Sequence, residues 1–207
     1  MSVVVVTGAT GDAGRATCTA LLAAGHRVVA VGSDEMRLGD VDASWRYVCD
    51  LTDPQETETM GRYIRERESG VDALVHLVGG WRAGHDIDDW DWLEPRILTT
   101  LRLTTLAFID DLTASSAGRL VTIGSTSAAK PTWGGANYAT LKTAASAWVA
   151  AVASGWRKAG TGAAVELLVQ SIGDGGTPVG TIAQRVVEII DGIPADLNGA
   201  RIALGGP

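Results

Sequence analysis

Lysine is nearly missing from this chain. Of 207 residues only Lys130, Lys142 and Lys158 are lysine, and the formal net charge is -7. A nucleic-acid surface requires a concentrated positive field, so no nucleic-acid partner is expected. Cysteine is scarce too. Cys18 and Cys49 fall in a presumed helix and a presumed strand, and neither has a Cys or His beside it at metal-ligand spacing. That excludes a disulfide framework and a cysteine metal site, and leaves two buried thiols in a reducing compartment. No basic leader precedes the first apolar residues. The longest uncharged run, Thr143 to Trp156, is too short for a bilayer and carries polar side chains. A cytoplasmic protein without a membrane partner is expected. Pro- or Ser-rich linkers, internal repeats and low-complexity tracts are lacking, so residues 1–207 are expected to form one domain.

Apolar residues make up 46% of the chain, enough for one α/β core. Val3-Val4-Val5-Val6 has the unbroken apolar character of a central parallel strand covered on both faces. It runs into Thr7-Gly8-Ala9-Thr10-Gly11-Asp12-Ala13-Gly14, and a helix follows to Ala24. Strand, glycine turn and helix together suit a pyrophosphate, because bare backbone can approach it and the helix amino terminus holds its charge. The second strand, Arg27 to Val31, ends in Gly32-Ser33 with Asp34 next. With no carboxylate at the strand tip and Ser33 able to donate, NADP(H) is favoured over NAD(H), although Asp34 remains within reach of a ribose hydroxyl.

Strand and helix then alternate. Trp45 to Cys49 is a strand closed by Asp50-Leu51, where Asp50 either accepts from an adenine amino group or caps a turn. A charged helix is expected from Asp53-Pro54 to about Glu68, and a fourth strand from Val71 to Val78, with His76 packed inside it and Gly79-Gly80 at its end. In the following loop Trp81, Arg82 and His85 are either substrate contacts or a solvated segment. A single long helix is expected from Asp88 to about Leu112, then a strand from Gly118 to Gly124. A helix from Ala136 to about Lys158, a strand from Ala164 to Val169, a helix from Thr181 to Asp191 and a last strand from Ala200 to Leu204 complete the chain.

Ser125 sits at the carboxyl end of the fifth strand, and Tyr138 and Lys142 lie four apart on the next helix, so they share a face. Alone, this spacing also describes an ordinary helix surface. Beside a phosphate-binding turn it describes a proton donor: a fixed ammonium is expected to lower a phenol pKa that starts near ~10. A serine hydroxyl would hold the carbonyl that receives the proton. The set suits carbonyl reduction or alcohol oxidation.

These residues resemble the short-chain dehydrogenase/reductase family over nearly the whole chain, from Thr7-Gly8 to the ending Leu197 to Gly206. Thr7, Gly8, Gly11 and Gly14 match its nucleotide turn in the spacing of the extended or atypical branches. Asp50-Leu51 matches the adenine-contacting pair, and Ser125, Tyr138 and Lys142 match the catalytic residues. The resemblance implies a Rossmann fold, a doubly wound sheet of about seven parallel strands, and hydride transfer at nicotinamide C4. Tyr138 would act as acid or base, Ser125 would orient the substrate, and Lys142 would hold the nicotinamide ribose. It also implies that the backbone of Thr10, Asp12, Ala13, Val78, Gly79, Gly80 and Gly173 lies along the dinucleotide, with Thr177 on the nicotinamide amide or a phosphate. A homodimer or homotetramer through the Tyr138 helix, near Trp148 and Val152, would follow.

The sequence departs from the family in three places. Thr100 stands where the proton-relay asparagine is usual. Val78-Gly79-Gly80 with Trp81 is similar to the dihydropteridine reductase branch, and Ile172-Gly173 replaces a Pro-Gly pair. The substrate lid after Thr177-Pro178 is nearly missing, which implies a bulky substrate, one presented by a partner chain, or weak activity. The first function expected is an NADP(H)-dependent carbonyl or quinonoid-pterin-type reductase. The alternatives are a nucleotide-binding regulator or scaffold without turnover, and an epimerase or dehydratase using the nicotinamide transiently.

Overall fold

The computed structural model describes residues 1–158 and 160–205; Gly206, part of the expected chain ending, lies outside them. The strands are β1 (Val3–Thr7), β2 (Arg27–Gly32), β3 (Trp45–Val48), β4 (Ala73–His76), β5 (Gly118–Ser125), β6 (Gly162–Val169) and β7 (Arg201–Ala203). They form one parallel sheet in the order β3-β2-β1-β4-β5-β6-β7. This is the doubly wound arrangement expected. The order reverses between β1 and β4, so the carboxyl ends of those two strands flank the crevice in which such sheets bind ligands.

The helices are α1 (Asp12–Ala23), α2 (Glu35–Gly39), α3 (Pro54–Glu68), α4 (Ile87–Glu94), α5 (Thr100–Ala114), α6 (Ala136–Trp156), α7 (Val179–Asp191) and α8 (Pro194–Leu197). They cover both faces. One core layer gathers Val5, Leu74, Leu120 and Ala164 beneath α3, α5 and α6, and the other gathers Val4, Val6, Val121 and Val165 beneath α1 and α7. Alternate residues of β1 thus serve opposite faces, which is why all four valines are apolar.

The helix expected from Asp88 to about Leu112 is interrupted. A π turn, Pro95–Thr99, separates α4 from α5, and the Thr100 N–H donates to the Pro95 carbonyl five residues back. Proline carries no N–H and crowds the preceding turn, so the helix changes register there. Two short helices, α2 and α8, were not expected, and α7 begins at Val179 rather than Thr181.

Arg119 carries a fully buried guanidinium on β5. It donates to the carbonyls of Gly118, Ile189 and Gly192, the latter two at the end of α7, and burial pushes its pKa down. A cation at a helix carboxyl end satisfies carbonyls that have no partner within the helix.

Candidate active site

One strand end and one helix assemble the catalytic candidates. β5 delivers Ser125, which is 4% exposed and whose Oγ lies 2.7 Å from Ser127 Oγ. α6 presents Tyr138 and Lys142 on the face that meets β5. The Lys142 ammonium is buried and donates to the Ile123 carbonyl at 2.9 Å, and its Nζ lies 6.0 Å from the Tyr138 ring centroid. Tyr138 and Lys142 thus share the face of α6 that meets β5, with Ser125 close enough to the phenol to influence it.

Their electrostatics differ from the expectation. Burial raises the Tyr138 phenol above its ordinary value, and Ser125 opposes this only in part; Lys142 is not among the causes. Lys142 itself is lowered to about 8, mainly by burial and against an upward pull from Glu166. Desolvation outweighs the neighbouring charge because both groups leave water on the same wall of the sheet. His76 is a packed histidine. Its Nδ1 is 2.9 Å from Thr7 Oγ1 and 3.1 Å from Thr104 Oγ1, and burial followed by the Lys142 charge lowers it to about 3.

Two clefts meet at Leu77, Val78 and Gly79. The larger, about 630 Å³, is lined by Gly8, Thr10, Gly11, Gly32, Ser33, Arg37, Asp50, Leu51, Arg96 and Thr100 among others. The second, about 510 Å³, lies over Tyr138 and Lys142 and is closed by Ala13, Gly80, Trp81, Ile123 and the segment Val169 to Ile172. Gly8 has φ +71°, and an added Cβ would sit 2.8 Å from the Leu77 backbone. The glycine turn is thus forced up against the end of β4, leaving bare backbone along the crevice.

Several expected contacts are corrected. Thr7 is fully buried, and its hydroxyl joins β1 to β4 through His76 instead of facing the cleft. Gly14 is buried and serves packing: a Cβ there would lie 2.3 Å from the Gly8 carbonyl oxygen. Asp12 starts α1 with an exposed side chain outside both linings. Asp34 does not reach for a ribose; it caps α2 by accepting from the Arg37 N–H at 3.0 Å. Asp50 lines the cleft and also accepts from the Thr52 N–H and hydroxyl, which lowers its pKa. Thr177 is 1% exposed and donates to the Leu204 carbonyl; neither it nor Gly173 lines a cleft, because a tight turn from Ser171 to Thr177 points both away. Gln170, Ser171 and Ile172 stand there instead.

Of the loop residues, only Trp81 lines the cleft, with 70% of its surface exposed. Arg82 packs over the Trp92 ring at 4.7 Å and pairs with Asp89 at 3.7 Å; His85 stacks on Trp133 at 4.5 Å. Arg37 and Arg96 were missed by sequence. Asp34 followed three residues later by Arg37 was the available signal, since it marks a capped turn that returns the arginine to the strand tip. Thr100 is 2% exposed and donates to the Arg96 carbonyl at 3.0 Å, so the relay position is occupied by a group turned into its own helix.

The sequence matches the short chain dehydrogenase family over residues 2–177. The chain belongs to that family. It is 28% identical over 217 residues to an acetoacetyl-CoA reductase of Acinetobacter sp., covering 97% of this chain and 84% of that protein. It is 36% identical over 145 residues to an uncharacterized oxidoreductase of Mycobacterium tuberculosis, covering 68% of this chain and 57% of that protein. In fold it is similar to an NAD+-bound xylitol dehydrogenase, with TM-score 0.88 at 18% identity over 100% of this chain and 98% of that one. The ligand-free aldohexose dehydrogenase of Thermoplasma acidophilum gives 0.85 at 17% identity, covering 98% of this chain and 92% of that one. The family name accounts for the oxidoreductase scaffold: this short-chain dehydrogenase is an NAD(P)-dependent oxidoreductase by its relatives. α7 begins at Val179, directly after Pro178.

Proposed function

We propose that this short-chain dehydrogenase reduces a carbonyl or imine with NADPH, and in reverse oxidises the alcohol. The observation that carries the proposal is that Tyr138 and Lys142 line a cleft continuous with the glycine turn, with Ser125 buried behind them beside the phenol. A dinucleotide fits this chain's residues: bare backbone at Gly8 and Gly11, the amino terminus of α1, and an extended crevice reaching from Ser33 to Gly79. Gly8, Thr10, Gly11, Ala13, Val78 and Gly79 would hold it, with Asp50 and Leu51 at the adenine.

When bound, the nicotinamide supplies the hydride. Ser125 orients the substrate oxygen by a hydrogen bond, and Tyr138 passes its phenolic proton to that oxygen as the carbonyl becomes an alkoxide. A phenol held above its ordinary pKa keeps its proton at neutral pH, the form reduction needs. Lys142 holds the ribose while charged. Its charge is present below about 8 and lost as pH rises through that value, so kcat/KM for reduction is expected to level off below about 8 and to decline above it. A pH-rate profile with saturating NADPH checks this, and a rate still rising at pH 9 would contradict it.

Ser33 and Arg37 favour the 2′-phosphate. Both are exposed at the tip of β2, and Asp34, whose carboxylate would repel a phosphate, is engaged in its cap. Arg37→Ala is expected to raise the Kd for NADPH by roughly 10- to 100-fold, the worth of one charge-assisted hydrogen bond, with little change for NADH. Equal losses for both cofactors would place the phosphate elsewhere. NADPH consumption against a panel of carbonyl compounds, followed at the nicotinamide absorbance band, tests the reaction itself. Stabilisation by nucleotide without consumption would favour the binder, and turnover without net cofactor change an epimerase.

The α5/α6 face supports a homodimer or homotetramer. Leu106 is 54% exposed there, and the buried Trp148 indole N–H has no hydrogen-bond partner among the described residues, with Arg102 stacked 5.4 Å over the ring. The partners proposed are a small carbonyl or alcohol and further copies of the chain, in the cytoplasm. Among the described residues no helix is long and apolar enough to cross a membrane, and no group of three metal-binding side chains occurs.

A further inference from the structure

Glu166 is a buried carboxylate that the reaction above does not use. It stands on β6 with 3% of its surface exposed, opposite Thr122 of β5. A Cβ on Gly124 would come within 2.4 Å of Glu166 Oε1, so the glycine is what lets the carboxylate lie against β5 between Ile123 and Ser125. Those two residues hold Lys142 by its ammonium and belong to the candidate triad, respectively.

The other side of Glu166 meets α6. Ser146 Oγ donates to Glu166 Oε1 at 2.5 Å and lies 3.0 Å from the carbonyl oxygen of Lys142, one turn earlier. Arg201 on the edge strand β7 donates to Glu166 Oε2 at 2.7 Å. A line of groups therefore runs from the solvent-side arginine through the carboxylate and Ser146 to the lysine's own turn of helix.

We infer that Glu166 is a positioning residue, a buried counter-charge that keeps Lys142 protonated and aimed along β5, with Arg201 moderating it from the sheet edge. The inference rests on the reading above for what Lys142 does in catalysis, though not for its protonation. The groups that face Lys142 are Tyr138 on its own helix, His76 on β4, which is neutral at working pH, and Glu166 on β6. Glu166 is the anion in that set, and its pull on Lys142 is upward. Those facing Glu166 are Lys142 and Ser146 from α6 and Arg201 from β7.

The scarcity of lysine makes a direct test possible, since with Lys130, Lys142 and Lys158 alone a 13Cε-lysine NMR titration separates Lys142 without ambiguity. Glu166→Gln keeps shape and the Ser146 contact while removing the charge. Its Lys142 midpoint is expected below that of the unsubstituted protein. Arg201→Gln, on a half-exposed edge residue, removes the competing cation, and its midpoint is expected above. Opposite signs are the signature, because a structural disturbance would not distinguish the two. The alkaline fall in reduction follows the same order, each unit of displacement changing the rate above the midpoint about tenfold. A Lys142 midpoint unmoved in both variants, or moved in one direction by both, overturns the inference. Midpoints that separate in a protein without turnover support Glu166 and count against the proposed reaction alone.

Discussion

Replacing Tyr138 with phenylalanine is expected to lower kcat by roughly 10²- to 10⁴-fold, the range that a positioned proton donor supplies, while NADPH affinity stays nearly unchanged. The ring is retained, and Tyr138 packs partly buried against the core layer beneath α6. What is lost is the one phenolic proton beside Ser125, and the buried Lys142, held to the Ile123 carbonyl, cannot replace it. Nicotinamide absorbance measures the first quantity and a thermal shift with NADPH the second. Unchanged turnover would remove Tyr138 from the chemistry. Loss of both activity and nucleotide stabilisation would mean the substitution had disturbed the fold instead, which circular dichroism distinguishes.

Gly14→Ala is expected to be strongly damaging for a single added methyl group. The new Cβ would lie 2.3 Å from the Gly8 carbonyl oxygen and 2.7 Å from the Ala9 Cα, and both of these are backbone atoms that no side-chain rotation can move aside. The amino terminus of α1 has to lift off the turn. Overpacking of this kind costs about 3 kcal/mol, which for a chain of this size corresponds to a Tm lower by roughly 6–12 °C. The same displacement opens the Gly8–Gly11 turn, where the Gly11 N–H donates to the Gly8 carbonyl at 3.1 Å, so stabilisation by NADPH is expected to vanish even at temperatures where the variant is folded. A variant that melts normally and still binds nucleotide would show that α1 and the turn can separate freely.

The contrast between these two positions shows where sequence reasoning succeeds. Tyr138 and Lys142 were legible because helical spacing alone puts positions four apart on one face. Gly14 was legible as part of a glycine turn, yet its task was assigned to the ligand, and the structure gives it to packing between α1 and the turn. Thr7 was misassigned for the same reason: position in a motif says that a residue matters, not whether it points to ligand or core. Its partner His76 is 69 residues away. The break at Pro95 had a local cause and was readable in principle, whereas the turn that hides the Thr177 hydroxyl depends on Leu204, the neighbour supplied after β7.

By itself the sequence determined the alternation of strand and helix, the parallel sheet, the glycine turn and the identity of the three catalytic candidates. Each of these follows from periodicity, backbone freedom or short spacing along one chain. Only the tertiary structure decided which charges meet: Arg37 at the strand tip, Glu166 beneath Gly124, and a lysine and a phenol whose pKa values move under burial. Desolvation and pairing between distant segments set those properties, and neither is carried by any local run of residues.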